Sequence, residues 1–296
     1  MVKWFDFRKK DLRQRNRGKS IMDELIAHIG KEWGRTVDPT PFGHGHINST
    51  FLTVEEPKLV VQEINTYVFP NYKGMMENIF GVTAHLKQKG LTTVDMLKTS
   101  DGKLFAEADG RVFRAYRYID NAVCYESVTP DILKKSGFAI GAFQNALADY
   151  PAKTLCEVIP FFHDTPKRFS DLLAAVEADT AGRAGEDVAE IAFYKAHEAF
   201  YSCVTSAMAK KKIPLAVTHN DTKVNNILFA ADSGEPLALI DLDTVMPGSR
   251  LYDFGDALRT GGATAAEDEE NLSLVGLDAE KYASFAEGYL QVVGLS

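Results

Sequence analysis

Residues 215–259 carry a dense set of hard-oxygen side chains at fixed spacing. His219-Asn220-Asp221 leads through Thr222, Lys223, Val224 and Asn225 to Asn226, so an asparagine stands five residues beyond an aspartate. Apolar runs at 227–229 and 237–240 flank a turn at Asp232-Ser233-Gly234, and Asp241-Leu242-Asp243 follows. Two such strands joined as an antiparallel hairpin set the loop before the first beside the loop after the second. Asp221, Asn226, Asp241 and Asp243 are therefore expected to converge. Phosphoryl transfer needs such a set. Magnesium arriving with a nucleoside triphosphate takes hard oxygen ligands, usually with only one or two protein carboxylates. A further carboxylate must accept or orient the proton of the attacking hydroxyl. Asp and Asn also favour turns for purely structural reasons, and a lone D-x-x-x-x-N is weak. Its place after His219, before a strand pair and ahead of I-D-x-D, favours the chemical meaning.

Other elements must position these groups. The spacing of Ile21, Leu25, Ile26 and Ile29 predicts a helix over Ser20 to Trp33, ended by Pro39 and Pro41. Strands are expected at Thr50 to Val54 and Leu59 to Ile64, with a helix from Asn78 to Lys89 stopped at Gly90. Asp109-Gly110 between alternating residues at 103–108 and 111–119 is a strong hairpin signal. Thr129-Pro130-Asp131 starts a helix that should reach about Tyr150, and a further helix is expected from about Glu186 to Lys212. Strands first and helices after is the α+β pattern. The expected organisation is an N-terminal lobe over 1–120, an antiparallel sheet with helices, and a mainly helical C-terminal lobe over 121–296.

Composition excludes several classes. The 296 residues are 45% hydrophobic and 25% charged, which is globular rather than disordered or fibrous. The net charge of −8 gives no bulk attraction to nucleic acid or to an anionic membrane, so neither is expected as a partner. No run approaches the roughly 18–20 apolar residues of a bilayer span. Cys124, Cys156 and Cys203 lack C-x-x-C spacing, against a disulfide framework or zinc ribbon. The N-terminal 20 residues have basic groups in place of an apolar signal core, and Asp6 and Asp11 oppose a transit peptide, so a cytoplasmic protein is expected.

The run V-T-H-N-D-T-K-V-N-N-I-L-F, with L-I-D-L-D-T-V and Y-D-F-G-D-A-L-R, resembles the aminoglycoside phosphotransferase and choline kinase superfamily. Within it the chain is most similar to N-acetylhexosamine 1-kinases, through G-H-G-H-I-N-S-T-F, V-Q-E-I-N-T-Y-V-F and F-H-D-T-P-K-R-F. The resemblance covers most of the chain and implies a two-lobed protein kinase-like fold that uses ATP and Mg2+. It implies Asp221 as catalytic base, with Asn226, Asp241 and Asp243 as metal ligands. His219 and Asp253 would brace the loop, with Asp256 and Arg259 as stabilising partners.

The nucleotide would meet Gly43, Gly45, Asn48 and Thr50 on a phosphate-covering turn, Gln62 on the following strand, and Tyr118 and Asn121 at a hinge. Glycines there permit close backbone approach to phosphates. No G-x-G-x-x-G is present, and His44 and His46 lack a third metal ligand nearby in sequence. Gln62 stands where protein kinases carry a phosphate-gripping lysine, and the subgroup shares its Q-x-x-N pattern. Arg114 is open to two meanings, a solvated strand residue or a nucleotide contact. His163, Asp164 and Arg168 suit sugar hydroxyls, while Asp164 or Thr165 equally suits a helix cap.

The implied reaction makes a sugar 1-phosphate from an N-acetylhexosamine. The alternatives are a kinase of another small alcohol or an aminoglycoside, and a nucleotide-binding pseudokinase. The subgroup continues with further helices past a segment like Tyr282 to Leu290, so this chain is expected to be short at its C-terminus.

Overall fold

The computed structural model describes residues 23–43, 47–125 and 128–294. The chain divides into two compact units, one of residues 1–72 and 94–120, the other of residues 73–93 and 121–296.

The first unit opens with a helix at 23–29 (α1) and a 3-10 turn at Gly30–Trp33. A five-stranded antiparallel sheet follows: β1 (Ser49–Leu52), β2 (Leu59–Ile64), β3 (Met96–Leu97), β4 (Ala106–Ala108) and β5 (Arg111–Arg117). The strand order is β1-β2-β5-β3, with β4 also paired to β5. Asp109 (φ 49°) and Gly110 (φ 72°) make the tight β4–β5 turn, both in the left-handed region that such two-residue turns require. Strand alternation sorts the sheet into two faces. Phe51, Val61, Phe113 and Ala115 pack with Ile26, Ile29 and Val37 as the core. Thr50, Gln62 and Arg114 pair in register across the opposite face.

The second unit contains the rest of α2 (Tyr72–Gln88) from residue 73 onward. Sequence order places this helix with the first 120 residues; its buried Asn78 explains the grouping. That side chain donates to the carbonyls of Cys156 (2.8 Å) and Val245 (2.9 Å) and accepts the Cys156 N–H (2.9 Å). Next come β6 (Ala122–Val123) and α3 (Pro130–Ala146), whose N-cap Thr129 accepts the Ile132 N–H.

Then follow α4 (Thr165–Ala178), α5 (Val188–Ala196), α6 (Glu198–Tyr201) and α7 (Cys203–Ala209). One helix was expected over 186–212, but it breaks at His197 and Ser202. There the His197 ring takes the Phe193 carbonyl at 2.7 Å, a local side-chain bond that competes with the helical ladder.

The remaining elements are β7 (Ala216–Thr218), β8 (Ile227–Ala230), β9 (Pro236–Leu239), β10 (Met246–Gly248), α8 (Arg250–Gly261) and α9 (Ala279–Leu290). β8 joins β9 as the expected hairpin, β6 pairs with β8, and β7 pairs with β10. α3 and α9 pack so closely that a Cβ on Gly288 would lie 1.8 Å from the Lys134 carbonyl oxygen. No described helix is long and apolar enough to cross a membrane.

Candidate active site

β7 delivers the chain into the loop 219–226, which turns through Asn220 in the left-handed region (φ 68°). Asn220 tolerates this because its Nδ2 donates to the carbonyls of Thr218 (3.3 Å) and Thr244 (2.8 Å). The loop is held from beneath by Asp253, which is completely buried at the start of α8. Its carboxylate accepts the backbone N–H groups of His219 (3.1 Å) and Asn220 (2.8 Å) and the Gln144 amide (3.0 Å). Burial pushes the Asp253 carboxyl above its ordinary value, and these N–H donors pull it back. Gln144 is fixed in turn by the Tyr289 hydroxyl at 2.6 Å. One turn further along α8, Asp256 accepts the Thr222 N–H at 2.7 Å and pairs with Arg259 at 3.0 Å.

His219 laces the two loops of the hairpin together. Its Nε2 donates to the Ile240 carbonyl at 2.9 Å, and its Nδ1 accepts the Asp221 N–H at 3.3 Å. Ile240 N–H donates to the Asn226 carbonyl at 2.9 Å, and Thr244 Oγ1 donates to the His219 carbonyl at 2.7 Å. The residue before Asp241 is thus bonded to both ends of the loop that carries Asp221 and Asn226. The Asn226 amide nitrogen donates to the Asp221 main-chain oxygen (2.9 Å) and to its carboxylate Oδ2 (3.0 Å). Lys223 Nζ lies 3.9 Å from the other Asp221 oxygen and 3.6 Å from Glu267. Asp241 is exposed and left-handed (φ 56°), whereas Asp243 is buried at 3% exposure.

A cavity of about 260 Å³ adjoins the loop, lined by Asn220, Glu157, Phe161, Phe162, His163, Asp164, Met208 and Tyr252 among others. It is smaller than the roughly 300–1,000 Å³ of drug-sized ligand sites, so it suits one compact ring. Its charged lining side chains are Glu157 and Asp164, both acidic. His163 stacks on Tyr252 with ring centroids 4.8 Å apart, and its Nε2 is buried without a hydrogen-bond partner among the described residues. Burial pushes the His163 imidazole below its ordinary value, against the pull of the Asp256 and Asp253 carboxylates. Burial raises the Tyr252 phenol, and the Asp164 charge adds to that. Asp164 also caps α4, accepting the Lys167 N–H at 3.0 Å. Arg168 is exposed and outside the cavity lining. Glu157, Met208 and Tyr252 escape the sequence reasoning; only the position of Tyr252 beside Asp253 hints at it.

The remaining candidates divide between the units. In the first, Phe42 N–H donates to the Thr50 carbonyl (2.8 Å), Asn48 Oδ1 accepts the Asn65 N–H (3.0 Å), and Gly43 is exposed with φ 78°. Gly45 lies outside the described residues. Gln62 joins Thr50 to Arg114 by hydrogen bonds. The Tyr118 ring meets Phe42 edge-on at 6.0 Å. In the second unit, Asn121 turns left-handed (φ 53°) and its carbonyl accepts the Ala231 N–H.

Residues 38–287 match the family model of the phosphotransferase enzyme family, APH. The chain belongs to this family. Among solved structures it is similar to the amicoumacin kinase hAmiN in complex with AMP-PNP, Ca2+ and Ami, at 13% identity and TM-score 0.58, covering 96% of this chain and 82% of that one. A microcompartment-associated aminopropanol kinase matches at 15% identity and TM-score 0.56, covering 94% and 82%. The spectinomycin phosphotransferase APH(9)-Ia, in complex with ADP and spectinomycin, matches at 15% and 0.53, covering 92% and 80%. At these identities the likeness establishes the fold, which is protein kinase-like.

The donor set fits magnesium held by a phosphotransferase. Among the described residues no group of three or more His, Cys, Asp or Glu forms an all-protein cage. Magnesium bound together with a nucleotide needs none, since phosphate and water supply most of its oxygens. The exposed Asp241 carboxylate would offer one hard oxygen, and the Asn226 side-chain oxygen, whose amide nitrogen is fixed on Asp221, would offer another.

Proposed function

We propose that this APH-family phosphotransferase moves the γ-phosphoryl group of ATP to the anomeric hydroxyl of an N-acetylhexosamine. One arrangement carries the proposal: Asp221 is clamped by Asn226 on a loop whose neighbouring residue, Asn220, lines the cavity with His163 and Asp164. An acceptor in that cavity presents its hydroxyl at the loop. Asp221 orients the hydroxyl and takes its proton as the bond to phosphorus forms. The anomeric hydroxyl is more acidic than the ring alcohols and needs the least help from a carboxylate.

Asn226 and Asp241 are the residues that would hold Mg2+, and Asp243, buried two residues beyond Asp241, would add to the acidic set. When bound, the ion would offset charge on the transferring group. Lys223 stands close enough to Asp221 to add a second positive charge at the same place. The cavity fits a sugar ring by its size, its aromatic walls and the acceptor oxygens of Glu157 and Asp164.

Those carboxylates also favour a second reading. Glu157 and Asp164, with Phe161, Phe162 and Tyr252, would also suit a cationic amino alcohol or one ring of an aminoglycoside. The similar structures include an aminopropanol kinase and a spectinomycin phosphotransferase.

A coupled assay of ADP release over N-acetylhexosamines, plain hexoses, amino alcohols and aminoglycosides separates the readings. N-acetylhexosamines should lead hexoses by at least about tenfold in kcat/KM, because an unmatched acetamido pocket leaves polar groups unpaired. Phosphorus NMR should show a glycosyl 1-phosphate. A 6-phosphate, or turnover confined to cationic acceptors, refutes the sugar 1-kinase assignment. ATP binding with no turnover of any acceptor points instead to a pseudokinase.

A further inference from the structure

The first unit carries a buried cation to which no role has yet been given. Thr50, Gln62 and Arg114 stand in register on β1, β2 and β5, on the face of the sheet opposite the apolar core. Gln62 Oε1 accepts two hydrogen bonds from Arg114, from Nε at 3.0 Å and Nη2 at 2.8 Å. Gln62 Nε2 donates to Thr50 Oγ1 at 3.0 Å. The three side chains therefore form one oriented row, with Arg114 only 4% exposed.

Gln62 lies at the strand position where a phosphate-binding lysine is expected, and it is neutral. Its neutral amide orients the guanidinium fork and itself brings no opposing charge. Adjacent strands are only about 4.8 Å apart, within the reach of an arginine side chain. A guanidinium is always charged, and its planar donor fork matches phosphate oxygens in pairs. Held in a low-dielectric setting, its field is screened far less than that of a surface lysine.

We propose that Arg114, oriented by Gln62, is the cation that holds the phosphates of the nucleotide on this sheet. The charge a lysine would bring along β2 is supplied from β5. Thr50, at the other end of the row, fixes the orientation of Gln62. This inference rests on the nucleotide-dependent function proposed above.

Affinities for ATP, ADP, AMP and adenosine test it, measured by calorimetry on the full chain. Arg114→Met should weaken ATP and ADP by at least about tenfold, a change of about 1.4 kcal/mol, while leaving adenosine within about twofold. Adding Gln62→Lys in that background should restore much of the lost ATP affinity, since it returns the charge along β2. If Arg114→Met fails to fold, Gln62→Glu replaces it, because an ion pair there preserves the shape while cancelling the charge. That variant should keep its melting temperature and lose ATP affinity.

Unchanged ATP affinity in Arg114→Met or Gln62→Glu overturns the assignment of Arg114 alone. An equal loss for ATP and adenosine also overturns it, by showing a merely structural role. Absence of ATP binding by the wild type overturns the proposed function and this inference with it.

Discussion

Replacing Asp253 by Asn keeps the size of the side chain and removes one of its two acceptor oxygens. The wild-type carboxylate receives three N–H groups: Asn220 on Oδ1, and His219 with Gln144 on Oδ2. An asparagine can keep its oxygen toward His219 and Gln144, which turns its own NH2 against the Asn220 N–H at 2.8 Å. The opposite orientation strands two donors besides its own NH2, and flipping Gln144 would set its oxygen against the Arg250 carbonyl now accepting its amide. The cheaper choice leaves two buried donors unmet, the Asn220 N–H and the introduced NH2, at about 1–3 kcal/mol each, and weakens two charge-assisted bonds by about 1 kcal/mol each. Removing a fully desolvated charge offsets part of this. The net loss should be about 2–4 kcal/mol, or roughly 3–6 °C in melting temperature for a chain of this size. Two of the lost or weakened bonds hold the peptide groups just before Asp221, so the variant should also lose about 10- to 100-fold in kcat at unchanged nucleotide affinity. Thermal melts and steady-state kinetics on the same preparation measure both. A melting temperature within 1 °C of wild type, with kcat within twofold, would refute the view that Asp253 holds the loop.

Asp221→Asn should cut kcat by roughly 10²- to 10⁴-fold with little change in nucleotide affinity or melting temperature, since an asparagine oxygen can still accept from Asn226. Retained kcat excludes Asp221 as the base. The folded protein resists protonating His163, so the unfolded chain binds more protons between the depressed folded pKa and the ordinary 6.5. Wild-type stability should therefore fall as pH drops below about 6.5, and His163→Gln should show a shallower slope in denaturant melts at pH 5.5 and 7.5. Equal slopes would mean that His163 stays accessible to protons. Gly288→Ala forces a Cβ into the Lys134 carbonyl and should destabilise by about 1–3 kcal/mol as α9 shifts from α3. A neutral melt would show that the two helices are not locked together.

Local chemistry explains which elements were legible in the sequence. Leu59–Ile64 is a run rich in β-branched residues, and its strand bounds match the expectation. Asp109-Gly110 demands one kind of turn, and the hairpin is there. The hairpin of β8 and β9 likewise follows from two short apolar runs around a glycine turn, and the lacing of its ends through His219 and Ile240 follows from the hairpin. β10 was not legible because Met246-Pro247-Gly248 contains the two residues that ordinarily argue against a strand. The break of the expected long helix into α5, α6 and α7 depends on a histidine bonding its own backbone, which periodicity does not register. The cavity is assembled from the 157–164 loop, α7, β10 and α8, segments whose meeting is tertiary and leaves no local pattern. Arg114 is open in the sequence between a solvated strand residue and a nucleotide contact; only the register of β2 against β5 reveals that Gln62 grips it.

The loops that carry Asp221 and Asp241 turn at two points where the backbone is left-handed without glycine, Asn220 and Asp241. Each costs on the order of 1–2 kcal/mol relative to ordinary backbone. Asn220 recovers part of that through its two carbonyl contacts and lets the chain reverse directly ahead of Asp221. Asp241 turns immediately after Ile240, whose N–H and carbonyl are both fixed by the opposing loop, so the turn has one anchored side. An aspartate in that conformation at the end of a strand leaves the regular alternation of β9, and its carboxylate is exposed while Asp243 is buried two residues later. Continuing β9 as a regular strand would set Asp241 and Asp243 on the same face with like exposure. The left-handed turn separates them into one exposed acid and one buried acid. That difference in burial between two aspartates cannot be read from I-D-L-D alone, and it is why two acids of the same type in one short motif are expected to respond differently to substitution.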